Sequence, residues 1–237
     1  MWVYSILLVA LSLHVTCQEN QDSILYYYGI DESERSLPEC TAGTACAAVL
    51  QRYWRPAALV RLCRCPRRAR CDTLLPQEQR IELNNRAHFQ FCKPITDWPD
   101  CSIGDVPLTV QSPYARIDPE QIESLHHKNI QLAPPKITFK CRCRHPTYWK
   151  LISTIENEDI SQYRCAALPS CKTGELCGHV TGDLFALYQL CTCPKHHICV
   201  QGGGLPEISM SELLYRGKGW RAHCERISDD YNSYEDY

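Results

Sequence analysis

Cysteine is the residue whose number and spacing offer chemistry in this chain. Leu62–Cys71 reads L-C-R-C-P-R-R-A-R-C, and Leu190–Cys199 reads L-C-T-C-P-K-H-H-I-C. Both are C-x-C-P-x4-C. Each follows a C-x5-C with glycine at its centre: Gly43 between Cys40 and Cys46, and Gly174 between Cys171 and Cys177. Each precedes a lone cysteine, Cys92 or Cys224. The two six-cysteine units span 53 and 54 residues, so the skeleton is an internal repeat. Thiols can attack, ligate metal or cross-link, and the compartment selects among these.

Residues 6–15 form a short apolar run with no charge before Gln18. It is too short to span a bilayer and reads as a signal peptide over 1–17, cleaved near Cys17. No hydrophobic C-terminal tail suggests a lipid anchor, so the expectation is a secreted monomer without a membrane anchor. Of the 17 cysteines, Cys17 leaves with the signal, and the remaining 16 predict eight disulfides. Zinc sites more often show C-x2-C with a distant second pair. With every mature cysteine paired, none is left as a nucleophile. The chain shows no G-x-S-x-G, H-E-x-x-H or P-loop, and the pairs His126-His127 and His196-His197 diverge on either a strand or a helix. The reading is therefore no enzyme, no cofactor and no metal.

A middle stretch carries only Cys101, Cys141, Cys143 and Cys165. Aligned on C-x-C, it lacks the second and fifth cysteines. Two cysteines bonded to each other are most simply lost together, which predicts Cys46–Cys71 and Cys177–Cys199. Neighbours in C-x-C do not bridge in an extended strand. For Cys40, Cys63, Cys65 and Cys92, and for Cys171, Cys191, Cys193 and Cys224, two arrangements stay open: first–third with fourth–sixth, or first–fourth with third–sixth.

Units of this size bury too little apolar surface to stand alone. Each disulfide adds ~2–4 kcal/mol, largely by restricting the unfolded chain. The fold class is thus small, disulfide-rich and mainly β, with tandem cysteine-stapled β-modules and one short helix. The boundaries are an acidic flexible arm at 18–39, a module at 40–92, a degenerate module at 93–165, a repeat module at 166–224 and an acidic tyrosine-rich tail at 225–237. Strands are expected over 57–65, 86–92, 136–143 and 184–193, with 147–152 pairing the third of these. Asp118-Pro119 and Gln121 predict a capped helix over 118–126.

The arm and the tail are acidic, which leaves the cysteine-bearing body basic. Arg61, Arg64, Arg67, Arg68 and Arg70 concentrate charge in one loop, and Lys195 occupies the matching loop of the repeat. Arg67–Arg70 resembles a processing site, but its flanking cysteines favour a structural or binding role over cleavage. In a secreted protein such a patch suits an anionic extracellular partner rather than nucleic acid. Trp54, Tyr148 and Trp149 lie beside bases and are candidate aromatic contacts.

The repeated C-x5-C … C-x-C-P-x4-C … C units, the degenerate middle unit and the acidic ends resemble the large cysteine-rich centipede venom proteins of scoloptoxin family eleven. That resemblance implies a secreted toxin with eight disulfides, some relatives inhibiting voltage-gated potassium channels. The chain is similar, more distantly, to Argos-type secreted antagonists, also called giant-lens. That resemblance implies a protein that sequesters an EGF-like growth factor with surfaces drawn from several modules, where a channel blocker needs one local patch.

Overall fold

The structure is a computed structural model. It describes residues 23–28, 33–72, 75–102, 104–112, 122, 124, 127–128, 133–143, 147–155, 158–204, 206–213 and 215–227. The expected signal peptide over 1–17 and the end of the tail lie outside the described residues.

Sixteen cysteines form eight disulfides. The first module pairs Cys40–Cys63, Cys46–Cys71 and Cys65–Cys92. The third repeats this with Cys171–Cys191, Cys177–Cys199 and Cys193–Cys224. The middle module keeps Cys101–Cys141 and Cys143–Cys165. Of the two arrangements left open by spacing, the structure has first–third with fourth–sixth.

In chain order the strands are β1 (Ile24–Tyr27), β2 (Ala47–Leu50), β3 (Ala58–Arg61), β4 (Arg80–Asn84), β5 (Ala87–Gln90), β6 (Leu108–Gln111) and β7 (Lys136–Phe139). They continue with β8 (Thr147–Ile155), β9 (Ile160–Ala167), β10 (Leu176–Thr181), β11 (Leu187–Gln189), β12 (His197–Val200), β13 (Ile208–Glu212) and β14 (Tyr215–Arg226). Each module builds its sheet in one way. A first strand pairs with a second that runs into C-x-C, and a later hairpin docks its last strand on the first. The orders β3-β2-β5-β4 and β7-β6-β9-β8 are the same, and β11-β10-β14 with β13 on β14 completes the set. Every one of these pairings is antiparallel.

The cysteines hang on a backbone clamp that occurs three times. Cys40 N–H donates to Arg64 O at 2.9 Å, and Arg64 N–H to Pro38 O at 2.8 Å. Cys101 and Arg142 do the same with Pro99, and Cys171 and Thr192 with Pro169. Each clamp is thus a proline two residues before the first cysteine, bridged to the middle residue of C-x-C. In the middle module Pro107 stands where the second cysteine stands elsewhere. Its carbonyl accepts from Lys140 N–H at 2.9 Å, as Cys46 O accepts from Leu62 N–H and Cys177 O from Leu190 N–H. Proline lacks a donor but keeps its acceptor, so this contact survives the loss of the cysteine.

The modules share one core. Phe139 at the end of β7 lies edge-on to Phe89, Phe91 and Trp149 at 5.4–5.6 Å between ring centres. Leu213 of the third module joins the same cluster, with Leu184 and Tyr188 packed against it. Between the first two modules the contact is also a strand pairing. Phe139 N–H donates to Gly43 O at 2.8 Å, and Ala45 N–H to Ile137 O at 2.9 Å. The outer edge of β7 is thereby covered by the first module's C-x5-C loop, which removes an exposed edge.

Four sequence expectations need correction. The segment 18–39 is not a free arm throughout: β1 pairs in parallel with β3, and Tyr28 and Leu37 are buried, because Tyr28 enters the central core with Tyr26 packed against it. The stretch from Thr147 does not partner β7. It forms β8 at the far edge of the sheet, against β9, because β6 has already taken the inner side of β7. The strand expected over 184–193 shrinks to β11, since 182–184 form a turn and Phe185 takes a left-handed backbone, φ 51°. Arg61, placed in the basic patch, is buried. It belongs to β3, between β1 and β2, where its guanidinium donates to Cys71 O and meets Glu34 at 2.6 Å. The predicted helix falls mostly outside the described residues, although Ile122 and Ser124 are helical.

Candidate functional site: a groove between three modules

Three of the strands that end their sheets come one from each module: β4, β8 and β11. All three converge on a groove of about 690 Å³. Ile81 and Leu83 from β4, Tyr148 and Trp149 from β8, and Leu187 and Gln189 from β11 line it. A strand end-edge offers a row of backbone donors and acceptors, the arrangement to which an extended segment of another chain adds. The groove is joined across its base. Leu187 N–H donates to Asn85 Oδ1 at 2.7 Å, linking the third module to the first module's β4–β5 turn. Tyr188 O–H donates to Leu213 O at 2.5 Å, and burial pushes its phenol well above the ordinary range.

The groove's charges are mixed. Glu78, Glu82 and Glu212 face Arg80 and Arg142 around its walls. Burial raises the Glu82 carboxyl above its ordinary value, against the opposing pull of Arg80. Glu212 accepts a bond from His179 Nδ1 at 2.8 Å, which ties β13 to β10. Tyr163, buried on β9, is pushed up to about 12, mainly by burial. Beneath the first module's wall, His88 is held at about 4 by burial, with Arg80 adding to the effect. Apolar side chains from all three modules thus share the groove with charges of both signs.

The sequence-predicted contacts divide. Tyr148 and Trp149 line the groove, with Trp149 also edge-on to Phe139. Trp54 lies elsewhere, 99% exposed at the apex of the β2–β3 turn. Arg64, Arg67, Arg68 and Arg70 are exposed on one disulfide-braced loop, and Lys195 is exposed on the matching loop of the third module. Both loops close with the same turn, Ala69 N–H to Pro66 O and His197 N–H to Pro194 O at 3.1 Å. Arg68 and His196 sit third after the C-x-C in their loops and share a left-handed backbone, at φ 75° and 60°. The cysteines are spent on the disulfides given above.

The groove itself escaped sequence reasoning, since β4 and β11 carry no unusual motif. One signal was present: proline two residues before the first cysteine in all three modules (Pro38, Pro99, Pro169) marks where each module begins.

No protein-family model matches the chain. The chain is similar to U-scoloptoxin(11)-Sm7a of Scolopendra morsitans, with 24% identity over 169 residues, covering 68% of this chain and 70% of the relative. Its fold is similar to that of Argos. The crystal structure of unliganded Argos superposes with a TM-score of 0.51 at 19% identity, covering 87% of this chain and all of that one. The likeness is one of overall fold. Among the described residues no helix is long and apolar enough to cross a membrane.

Proposed function

We propose that this protein is a secreted, non-catalytic venom component that captures an extracellular protein in the groove between its three modules. The groove carries the reading: three terminal strands from three modules face one space of about 690 Å³. The venom setting rests on the similarity to the scoloptoxin. A site drawn from several modules suits a clamp on a compact folded ligand. The Argos-like fold extends this to an EGF-like growth factor as the captured partner.

A second reading draws on a different feature. The exposed Arg64, Arg67, Arg68 and Arg70 form one local cationic patch, suited to the outer mouth of a voltage-gated potassium channel. The two readings separate in one pair of assays on the intact, oxidised protein. Sub-micromolar binding to immobilised EGF-like growth factors, with potassium currents unaffected, supports the clamp. Block of potassium currents without growth-factor binding supports the cationic patch and overturns the clamp.

A further inference from the structure

Two aromatic fingertips meet at one end of the molecule. Trp54 and Phe185 each stand eight residues after their module's second cysteine, Cys46 and Cys177. Each sits at the tip of the turn between its module's first two strands, with a left-handed backbone, φ 57° and 51°. A bulky non-glycine residue rarely adopts that conformation, and where it does the surrounding structure must hold it there. The hold is visible at Trp54: Arg52 Nε and Nη2 donate to Pro56 O at 2.9 and 2.7 Å, closing the turn.

The two tips touch. Tyr53 lies edge-on to Phe185 at 5.9 Å, and Phe185 stacks parallel to Trp220, also at 5.9 Å. The side chains nonetheless face solvent. Trp54 is 99% exposed, while Tyr53 and Phe185 are about half exposed. At the base of the first finger, β1 adds Ile24, also about half exposed, through a bond from its N–H to Ala57 O. Around the tips stand arginines: Arg52, Arg55, and Arg86 with its guanidinium 3.8 Å from the centre of the Tyr53 ring. Asp183 is the acid on the second finger.

We infer that these paired fingertips dock the protein on anionic lipid surfaces, with Trp54 and Phe185 entering the headgroup boundary. Tryptophan, tyrosine and arginine together are the composition of the membrane–water interface, where rings sit among headgroups and cations meet phosphates. The patch is convex and made of turn tips. The large concave space lies elsewhere, in the groove, and none of these tip residues lines it. Its arginines complement negative headgroups. The inference goes beyond the proposed capture function and holds whichever target the groove takes.

The test is co-sedimentation of the intact, oxidised protein with phosphatidylcholine vesicles, alone or containing about a quarter phosphatidylserine. Binding is expected on the anionic vesicles, weaker on the neutral ones, and reduced by salt. Trp54→Ala and Phe185→Ala are each expected to lower the partition coefficient about tenfold, since binding scales with inserted apolar area. Trp54 is exposed, so its removal leaves the fold intact, and unchanged near-ultraviolet dichroism checks this. Full binding by both variants overturns the inference, as does failure of the wild type to sediment with either vesicle. Binding that is lost only when Arg67, Arg68 and Arg70 are neutralised assigns the membrane to a different face and also overturns it. So would loss of protein-target binding by Trp54→Ala in the absence of lipid, with no vesicle binding, which would make the fingertips a protein hot spot.

Discussion

Gly43 and Gly174 occupy the same place in two copies of one loop, each central in its C-x5-C, and their backbones agree at φ 76° and 74°. Their surroundings do not agree. A Cβ on Gly43 would lie 2.2 Å from Phe139 O, whereas nothing stands within 4 Å of one on Gly174. The first loop is a strut that pairs with β7 and joins two modules. The third module's loop bonds instead to its own last strand, with Gly174 N–H to Cys224 O at 2.8 Å. Repetition thus fixes local geometry, while position in the chain decides what that geometry is used for.

Glycine-to-alanine substitution should expose the difference. Gly43→Ala combines left-handed strain with a backbone collision and is expected to cost more than about 3 kcal/mol in chemical denaturation. Gly174→Ala meets only the strain and should cost about 1 kcal/mol. Equal costs would mean that the two loops are equivalent after all.

The second–fifth disulfide sharpens the comparison from the other side, because the middle module lives without it. Replacing both Cys46 and Cys71 with alanine, or both Cys177 and Cys199, should cost about 3 kcal/mol in either module. The remaining disulfides should still form, as peptide mapping would show. Pro107 already shows that the backbone contact at that position outlasts the cysteine.

His88 has no counterpart in this comparison, being specific to the first module's wall. Its folded-state value lies near 4, below the ordinary 6.5, because burial disfavours the charged ring. The unfolded chain therefore binds the proton more tightly. The resulting stability is present above about pH 6.5 and is lost as the pH falls towards 4. The loss is on the order of 2 kcal/mol, and His88→Phe should flatten the acid limb of the stability–pH curve.

The smallest effect belongs to the cationic loop. Neutralising Arg67, Arg68 and Arg70 together should change stability by no more than about 0.5 kcal/mol, since these side chains are exposed. Neutralising Arg61 should cost far more, because it would leave Glu34 and the Cys71 carbonyl without their donor.

Much of the fold was written in the cysteines. Their spacing marks the repeat, and the gaps in the middle module single out the second and fifth as partners. The strand running into the middle module's C-x-C follows from alternation, as β7 illustrates. Less was legible where a segment's role depends on what lies next to it. Nothing local to Arg61 distinguishes it from Arg64, yet one is caught between β1 and β2 while the other faces water. Tyr148 and Trp149 read as a strand, but only β9 decides which sheet edge they occupy. The groove was illegible for the same reason. It forms from the ends of three sheets far apart in sequence, and no residue on β4 or β11 signals that its outer edge is left open.

The central claim is that the space between the modules, and not the arginine loop, holds the target. The most direct measurement is growth-factor binding by three proteins: the wild type, a groove variant (Glu82→Lys with Tyr148→Ala) and a loop variant (Arg67, Arg68 and Arg70 to Gln). The account predicts at least about a tenfold loss of affinity in the groove variant and wild-type affinity in the loop variant. Full affinity in the groove variant with loss in the loop variant would contradict it.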